Sequence, residues 1–592
     1  MPKLAEGRFE GYPRVYVAAR ELVIHTAGRF DAETVTRFIV SYQQVVTLSI
    51  GEVWAIPIML RLALVEDLHR LADQVQRARA EREEARKSAA RLALIGTQPA
   101  EVIRELERRA GRGQRMSAPF VAELLHWLRD QPPSAGPVWH WLQERLDAQH
   151  DSPDEILRSE HQREAADQIS IGNVISSMRL LSSLDWSVFF ERVSHVELAL
   201  RDDPAGAYAL MDFPTRDRYR HSIEELAKRS GREELAVARR ALELAAEAKV
   251  QDPEADRRHH VGYYLISRGR FQLERDIGAL PRMRERLARF TFSHPAIGYL
   301  GLTAAAVILV VASLVAHAAR FGATRLQLVA VALLVLIPAS ELAISLLTLV
   351  ITVLVRPRPL PKLALRDGIT EANRTLVVVP TIIRTELQVR ELVEALEVRF
   401  LANRDPHLHF ALLTDFADAD AESLPGDNEL IAVATGLTED LNTRYGTGRF
   451  FFLHRARRWN PVEGKWMGWE RKRGKLAELN RLLRGATDTS YVVQIGDLSI
   501  LPSVRFVITL DTDTQLPMET GRQLVGALVH PLNRPRFDRQ RQRITEGYGV
   551  LQPRLQVSIV SATRSLFAQI FSGFVGIDPY TTAVSDVYQD LF

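Results

Sequence analysis

Two long apolar stretches lie side by side in the middle of this 592-residue chain, and they constrain its fold more than any other feature. From Pro295 to Ala319 no residue carries a formal charge, and only His317 can gain one. That run exceeds the ~18 apolar residues that mark a membrane-spanning helix. After the short link Arg320 to Arg325, residues 326–355 hold one formal charge, Glu341, close to Pro338. A helix of about 30 residues extends about 45 Å, more than a hydrocarbon core of ~30 Å, so tilt, a kink at Pro338 or an interfacial end absorbs the excess. Glu341 either lines a conduit or bonds a neighbouring helix, because a carboxylate at that depth faces protein or water.

Basic residues set the expected orientation. Arg282, Arg284, Arg286 and Arg289 precede the first span, and Arg356, Arg358, Lys362 and Arg366 follow the second. The link between them carries just Arg320 and Arg325. The positive-inside rule therefore predicts both flanks in the cytoplasm, with the lipid bilayer as a partner. Composition agrees with folded flanks: 46% hydrophobic and 25% charged, over a length that suggests three or four units. The net charge of +3 is too small for a general polyanion binder, so nucleic acid is not the expected partner. With no cysteine, disulfides, thiolate metal sites and cysteine nucleophiles are excluded. Residues 1–13 have no apolar segment of the kind a cleavable secretory signal requires.

Residues 1–290 read as a mostly helical cytoplasmic domain, with apolar helical spacing in Val35–Val46, Val53–Leu71, Val121–Leu128 and Ile223–Leu244. The Arg- and Glu-rich stretch Arg77–Arg91 reads as a solvated helix face. The denser segment Asp203–Arg220, DPAGAYALMDFPTRDRYR, builds either a polar pocket or an ion-pair network orienting helices.

Beyond the hairpin (295–319 and 326–355), residues 370–592 switch to alternating strand and helix patterns. Strands are expected at Thr375–Thr381, His409–Asp415, Arg449–Leu453 and Arg505–Asp511, with helices at Glu386–Leu401 and Glu429–Arg444. Such alternation predicts βαβ units, a parallel sheet and ligands at the carboxyl ends of the strands. Asp415 ends one strand, and Asp511 and Asp513 in TLDTDTQLP end another. In an extended segment residues i and i+2 share a side, so this pair can hold a divalent ion, Mg²⁺ or Mn²⁺, with its diphosphate ligand. Arg473 and Lys475 open a basic helix whose start can take up that diphosphate.

The order of strand, strand-Asp, basic helix and strand-DxD resembles a glycosyltransferase of the GT-A type. More specifically, the chain resembles the amino-terminal part of the cyclic β-1,2-glucan synthases, glycosyltransferase family 84. The resemblance runs through GRFDAETVTRFIVSYQ from Gly28, GEVWAIPIMLR from Gly51, SLDWSVFFERVSHVE from Ser183, the Asp203–Arg220 segment, WERKRGKLAELN from Trp469, FVITLDTDTQLP from Phe506, GYGVLQPR from Gly547 and GIDPYTTAVSDVYQDLF at the end. It implies UDP-glucose as donor, inverting polymerisation into β-1,2-glucan, dependence on a divalent metal and a place in the bacterial inner membrane with the transferase in the cytosol. It also implies that Asp511 and Asp513 hold the metal and diphosphate, that Asp415 lies near the uridine, and that Arg473 and Lys475 face the diphosphate. In such enzymes the glucan grows on the protein itself. Tyr580, after the Asp578-Pro579 turn signal, is the preferred acceptor candidate, with Tyr588 the other. The family's general base, acceptor-side motif and carboxyl-terminal half fall beyond Phe592, so the chain is expected to be the donor-binding part of a longer enzyme. The alternative is a membrane-anchored assembly module that binds nucleotide-sugar without turnover.

Overall fold

The computed structural model of the chain describes residues 1–95, 99–110, 116–130, 136–148, 151–254, 256–279, 281, 294–354, 359–553 and 565–566. They divide into two compact units, 1–199 and 200–592. Tyr580 and Tyr588 lie outside the described residues.

The first unit is helical. Its long Ile50–Ile95 helix runs through Pro57, and apolar side chains such as Val53, Ile56, Leu60 and Leu64 are buried along it. Glu52 is fully buried in the first turn of that helix, where Arg14 meets it at 2.6 Å. The Ser49 backbone N–H donates to the same carboxylate at 2.9 Å. Burial opposes the charge of Glu52, but these bonds hold its carboxyl below the usual range.

The second unit opens with helices Phe213–Ser230, Glu234–Gln251, Gly262–Ile266 and Arg270–Ile277. The polar residues of Asp203–Arg220 are spent on structure. Asp212 caps its helix by accepting the Thr215 N–H at 3.0 Å, and Arg218 donates to the Pro359 carbonyl at 2.5 Å. Asp203 lies 2.8 Å from His260 Nδ1, and His260 Nε2 lies 2.9 Å from the Tyr219 hydroxyl. His530, in the following α/β layer, lies 3.5 Å from the same hydroxyl. Asp203, Tyr219, His260 and His530 are buried and Asp212 and Arg218 half-buried, so the segment ties its helices together and the ion-pair reading prevails over the pocket.

Helices Pro295–Arg320 and Arg325–Leu354 follow. They contain the described stretches that are long and apolar enough to cross a membrane, Gly298–Arg320 and Arg325–Ile351. The second runs unbroken through Pro338. Ala339 and Ala343 are buried, small residues four apart that let helices approach closely. Glu341 lies between them in sequence and is exposed, as are Leu309 and Leu334.

The α/β part is built on a five-stranded sheet of order β6-β3-β2-β1-β7. Its strands are β1 Thr375–Ile383, β2 Leu408–Phe416, β3 Phe450–Arg455, β6 Tyr491–Ile495 and β7 Phe506–Thr509. Short hairpins β4–β5 (Arg458–Asn460, Lys465–Met467) and β8–β9 (Arg536–Asp538, Arg543–Glu546) flank it. The expected parallel sheet is corrected to a mixed one: β1, β2, β3 and β7 are parallel, while β6 pairs antiparallel with β3.

Both faces of the sheet are covered, which explains the unbroken apolar runs of its strands. Val377, Val379, Phe410, Leu412, Phe450 and Phe452 pack under helices Glu386–Ala402 and Asp427–Tyr445. Leu376, Val378, Ala411, Leu413, Phe451 and Leu453 pack against Leu479 and Leu483 on the other face. Between β1 and β7 the ladder stops early. The Leu510 N–H bonds the Val378 carbonyl at 3.0 Å, and the next β1 residue facing that side is Pro380, which has no N–H to offer. The chain turns away at Asp511, so β1 and β7 part beyond Leu510. The strand order also reverses there, where open α/β sheets bind ligands.

A Cβ at Gly262 would stand 2.1 Å from the buried Tyr219 hydroxyl oxygen. Gly262→Ala is therefore expected to cost about 1–3 kcal/mol in denaturant unfolding. Gly436→Ala, at an exposed helical position with nothing within 4 Å, should stabilise by about 0.5–1 kcal/mol. Equal effects of the two variants would contradict this packing.

Candidate functional site

Four parallel strands end on this side of the sheet. The β1–β2 register sets Ile382 beside Asp415, the β2–β3 register sets Thr414 beside His454, and Asp511 follows β7 within two residues. Burial lowers the His454 imidazole to about 4, so the ring is neutral at pH 7, and its Nδ1 lies 2.7 Å from the Thr414 hydroxyl.

Asp415 is almost fully buried and grips Arg455 bidentately, at 2.7 and 2.8 Å. Arg455 also reaches Glu478 at 3.2 Å, while Lys475 Nζ lies 3.1 Å from Asp415. The two carboxylates and two cations balance, as buried charges require. Burial opposes the charge of Arg455, yet its bond to Asp415 raises its pKa above the ordinary arginine value. Glu478 further accepts the Ser490 N–H at 3.2 Å. Lys475 donates to the Thr381 carbonyl at the end of β1, so its ammonium belongs to the wall between β1 and β2. Asp415 is likewise committed to its partners in that wall.

Asp511 and Asp513 are exposed. The extended spacing expected for them is replaced by a turn, because β7 ends at Thr509 and the Thr514 N–H donates to the Asp511 carbonyl at 3.1 Å. Arg399 braces this turn from the Glu386–Ala402 helix, donating to the carbonyls of Thr512 at 2.8 Å and Thr514 at 2.8 and 3.1 Å. Lys472, one residue into the Arg471–Leu482 helix, forms an ion pair with Asp511. Arg473 is 85% exposed and pairs with Glu470 at 3.1 Å. The structure thus brings together Lys472 with Asp511, and Lys475 with Asp415.

Lys472, Arg399 and Arg455 were not among the residues read from the sequence. Lys472 stands beside Arg473 in a basic run whose facing depends on how the helix begins. Arg455 had a visible signal, a charged residue closing the buried strand FFFLHR. Among the described residues no group of three or more His, Asp or Glu side chains is placed to hold a metal ion. Asp511 already attracts the ammonium of Lys472.

Burial lowers the Lys475 ammonium from 10.5 to about 8, against the opposing pull of Asp415. Between those values the unfolded chain binds the extra proton, so this residue's contribution to stability rises with pH from about 8 to 10.5. Lys475→Met should remove that rise in urea-unfolding midpoints measured across the window. An identical pH slope in both proteins would refute the assignment.

No protein-family model matches the chain. Over 598 aligned residues, 98% of its own length, it is 39% identical to the cyclic beta-(1,2)-glucan synthase NdvB of Rhizobium meliloti (strain 1021). It spans 20% of that protein's length. Nearly the whole chain is therefore similar to one fifth of a cyclic beta-(1,2)-glucan synthase, as an amino-terminal portion of such a protein would be.

Proposed function

We propose that the α/β part of this chain is the donor-binding portion of a GT-A-like, inverting UDP-glucose-dependent glucosyltransferase that polymerises glucose into cyclic β-1,2-glucan. The observation that carries the reading is the ion pair of Lys472 with Asp511, beside Asp513, just past the carboxyl end of β7, in a chain 39% identical to a glucan synthase. The two apolar helices support a place in a membrane, read as the bacterial inner membrane, and the basic residues that flank them favour both flanks in the cytoplasm.

In an inverting transfer an acceptor hydroxyl oxygen bonds the anomeric carbon as the bond from that carbon to the diphosphate breaks. Negative charge moves onto the leaving UDP, and preorganised positive groups at that place lower the barrier. Lys472 is the exposed cation positioned to meet it, and Arg399 keeps the carboxylate turn in place. Asp511 and Asp513 would hold Mg²⁺ or Mn²⁺, which when bound supplies further positive charge to the diphosphate. Asp415 and Lys475 shape the wall beneath the nucleotide. The acceptor hydroxyl's proton goes to a general base supplied by the remainder of the synthase. Tyr580 is the candidate residue on which the glucan starts.

Calorimetric titration of UDP-glucose into the detergent-purified chain, with and without Mn²⁺, tests the reading. Metal-dependent binding is expected in the wild type and should fall at least about tenfold when Asp511→Asn and Asp513→Asn are combined. Absence of binding by a folded wild type would contradict the donor site and favour the membrane-anchored assembly module.

A further inference from the structure

The turn that delivers Lys472 to Asp511 is held in a conformation its own residues do not favour. Glu470 and Arg471 both have φ of +45°, a left-handed region that residues bearing a Cβ occupy only under constraint. The helix that follows has no side-chain cap at its start. Its surroundings are tight on both sides: a Cβ at Gly468 would stand 2.5 Å from Asp415 Oδ2, and one at Gly474 would stand 2.0 Å from the Trp469 carbonyl oxygen.

Arg455 supplies the constraint. Its guanidinium donates from Nη1 to the Trp469 carbonyl at 3.1 Å and from Nη2 to the Arg471 carbonyl at 3.1 Å. Its remaining contacts go to Asp415 through Nε and Nη2, and to Glu478 through Nη1. These contacts match the five N–H donors of an arginine fork, and they join the strained turn to the ends of β2 and β3. The residue after the clamped pair is Lys472, whose ammonium meets Asp511.

We infer that Arg455 is a positioning residue: it clamps the Trp469–Arg471 turn in its left-handed form and thereby aims Lys472 at the position a nucleoside diphosphate occupies. The inference rests on the donor-site reading above and deepens it. Arg455 itself is fully buried and acts through the turn. A lysine at this position keeps the charge opposite Asp415 but offers one ammonium where two carbonyls and two carboxylates now share a planar fork. The turn is then free to relax and carry Lys472 away.

The test is titration of UDP with Mn²⁺ into the full detergent-purified chain as wild type, Arg455→Lys, Glu470→Gly and the Arg455→Lys, Glu470→Gly double variant. Cooperative unfolding of each is checked first. Arg455→Lys is expected to weaken UDP binding by about 10- to 100-fold, the loss that goes with displacing a binding group by about 1 Å. Glycine adopts a positive φ without strain, so Glu470→Gly should recover about tenfold of that loss in the double variant and leave affinity unchanged alone. A purely structural role for Arg455 gives no such recovery. Wild-type binding with Arg455→Lys equally tight, or with no recovery from glycine, overturns the inference and leaves the donor site standing. A wild type that binds no UDP removes the donor-site reading itself.

Discussion

The buried charge group around Arg455 is the interaction on which the rest of the α/β architecture depends. Asp415 at the end of β2, Arg455 at the end of β3, and Lys475 and Glu478 on the Arg471–Leu482 helix are all nearly inaccessible to solvent. Isolated, any one of these charges would be costly to bury; together they neutralise one another and fix where a helix crosses the strand ends. Removing one partner from such a group costs about 3–5 kcal/mol, because the others are left uncompensated. The hydrophobic layers hold the sheet together, but this polar group decides which way the basic helix starts.

The parting of β1 from β7 has a simpler cause in the backbone. Pro380 has no N–H at the point where β1 would continue its pairing with β7, and the chain beyond Leu510 turns instead of extending. The strands part where the strand order changes direction, and the exposed carboxylates, the basic helix start and the committed wall of Asp415 and Lys475 lie at that end of the sheet. Arg399 then secures the turn from the helix that follows β1.

Much of this was legible in the chain because burial on both faces of a sheet writes itself as continuous apolar runs. TLVVVPT and HFALLTD mark β1 and β2 to within two residues, and the two apolar helices are evident from length and charge alone. Strand β6 was missed: Tyr491–Ile495 is a short edge strand with Val492 exposed, so its pattern is weak, and its antiparallel pairing is set by β3. The DTD segment was read as extended because β7 was carried on to Asp511, whereas the turn is fixed by Arg399, more than a hundred residues away. Lys475 was identifiable as a basic residue at a helix start. Its commitment to Asp415 and Thr381 depends on tertiary contacts that no local pattern carries.

The most direct test of the central claim is an experimental structure of the chain with UDP and Mn²⁺ bound. The account predicts the metal between Asp511, Asp513 and the diphosphate oxygens, with Lys472 released from Asp511 onto the phosphates and the Asp415–Arg455 pair unchanged. Nucleotide bound elsewhere, with the Lys472–Asp511 pair intact, would contradict it.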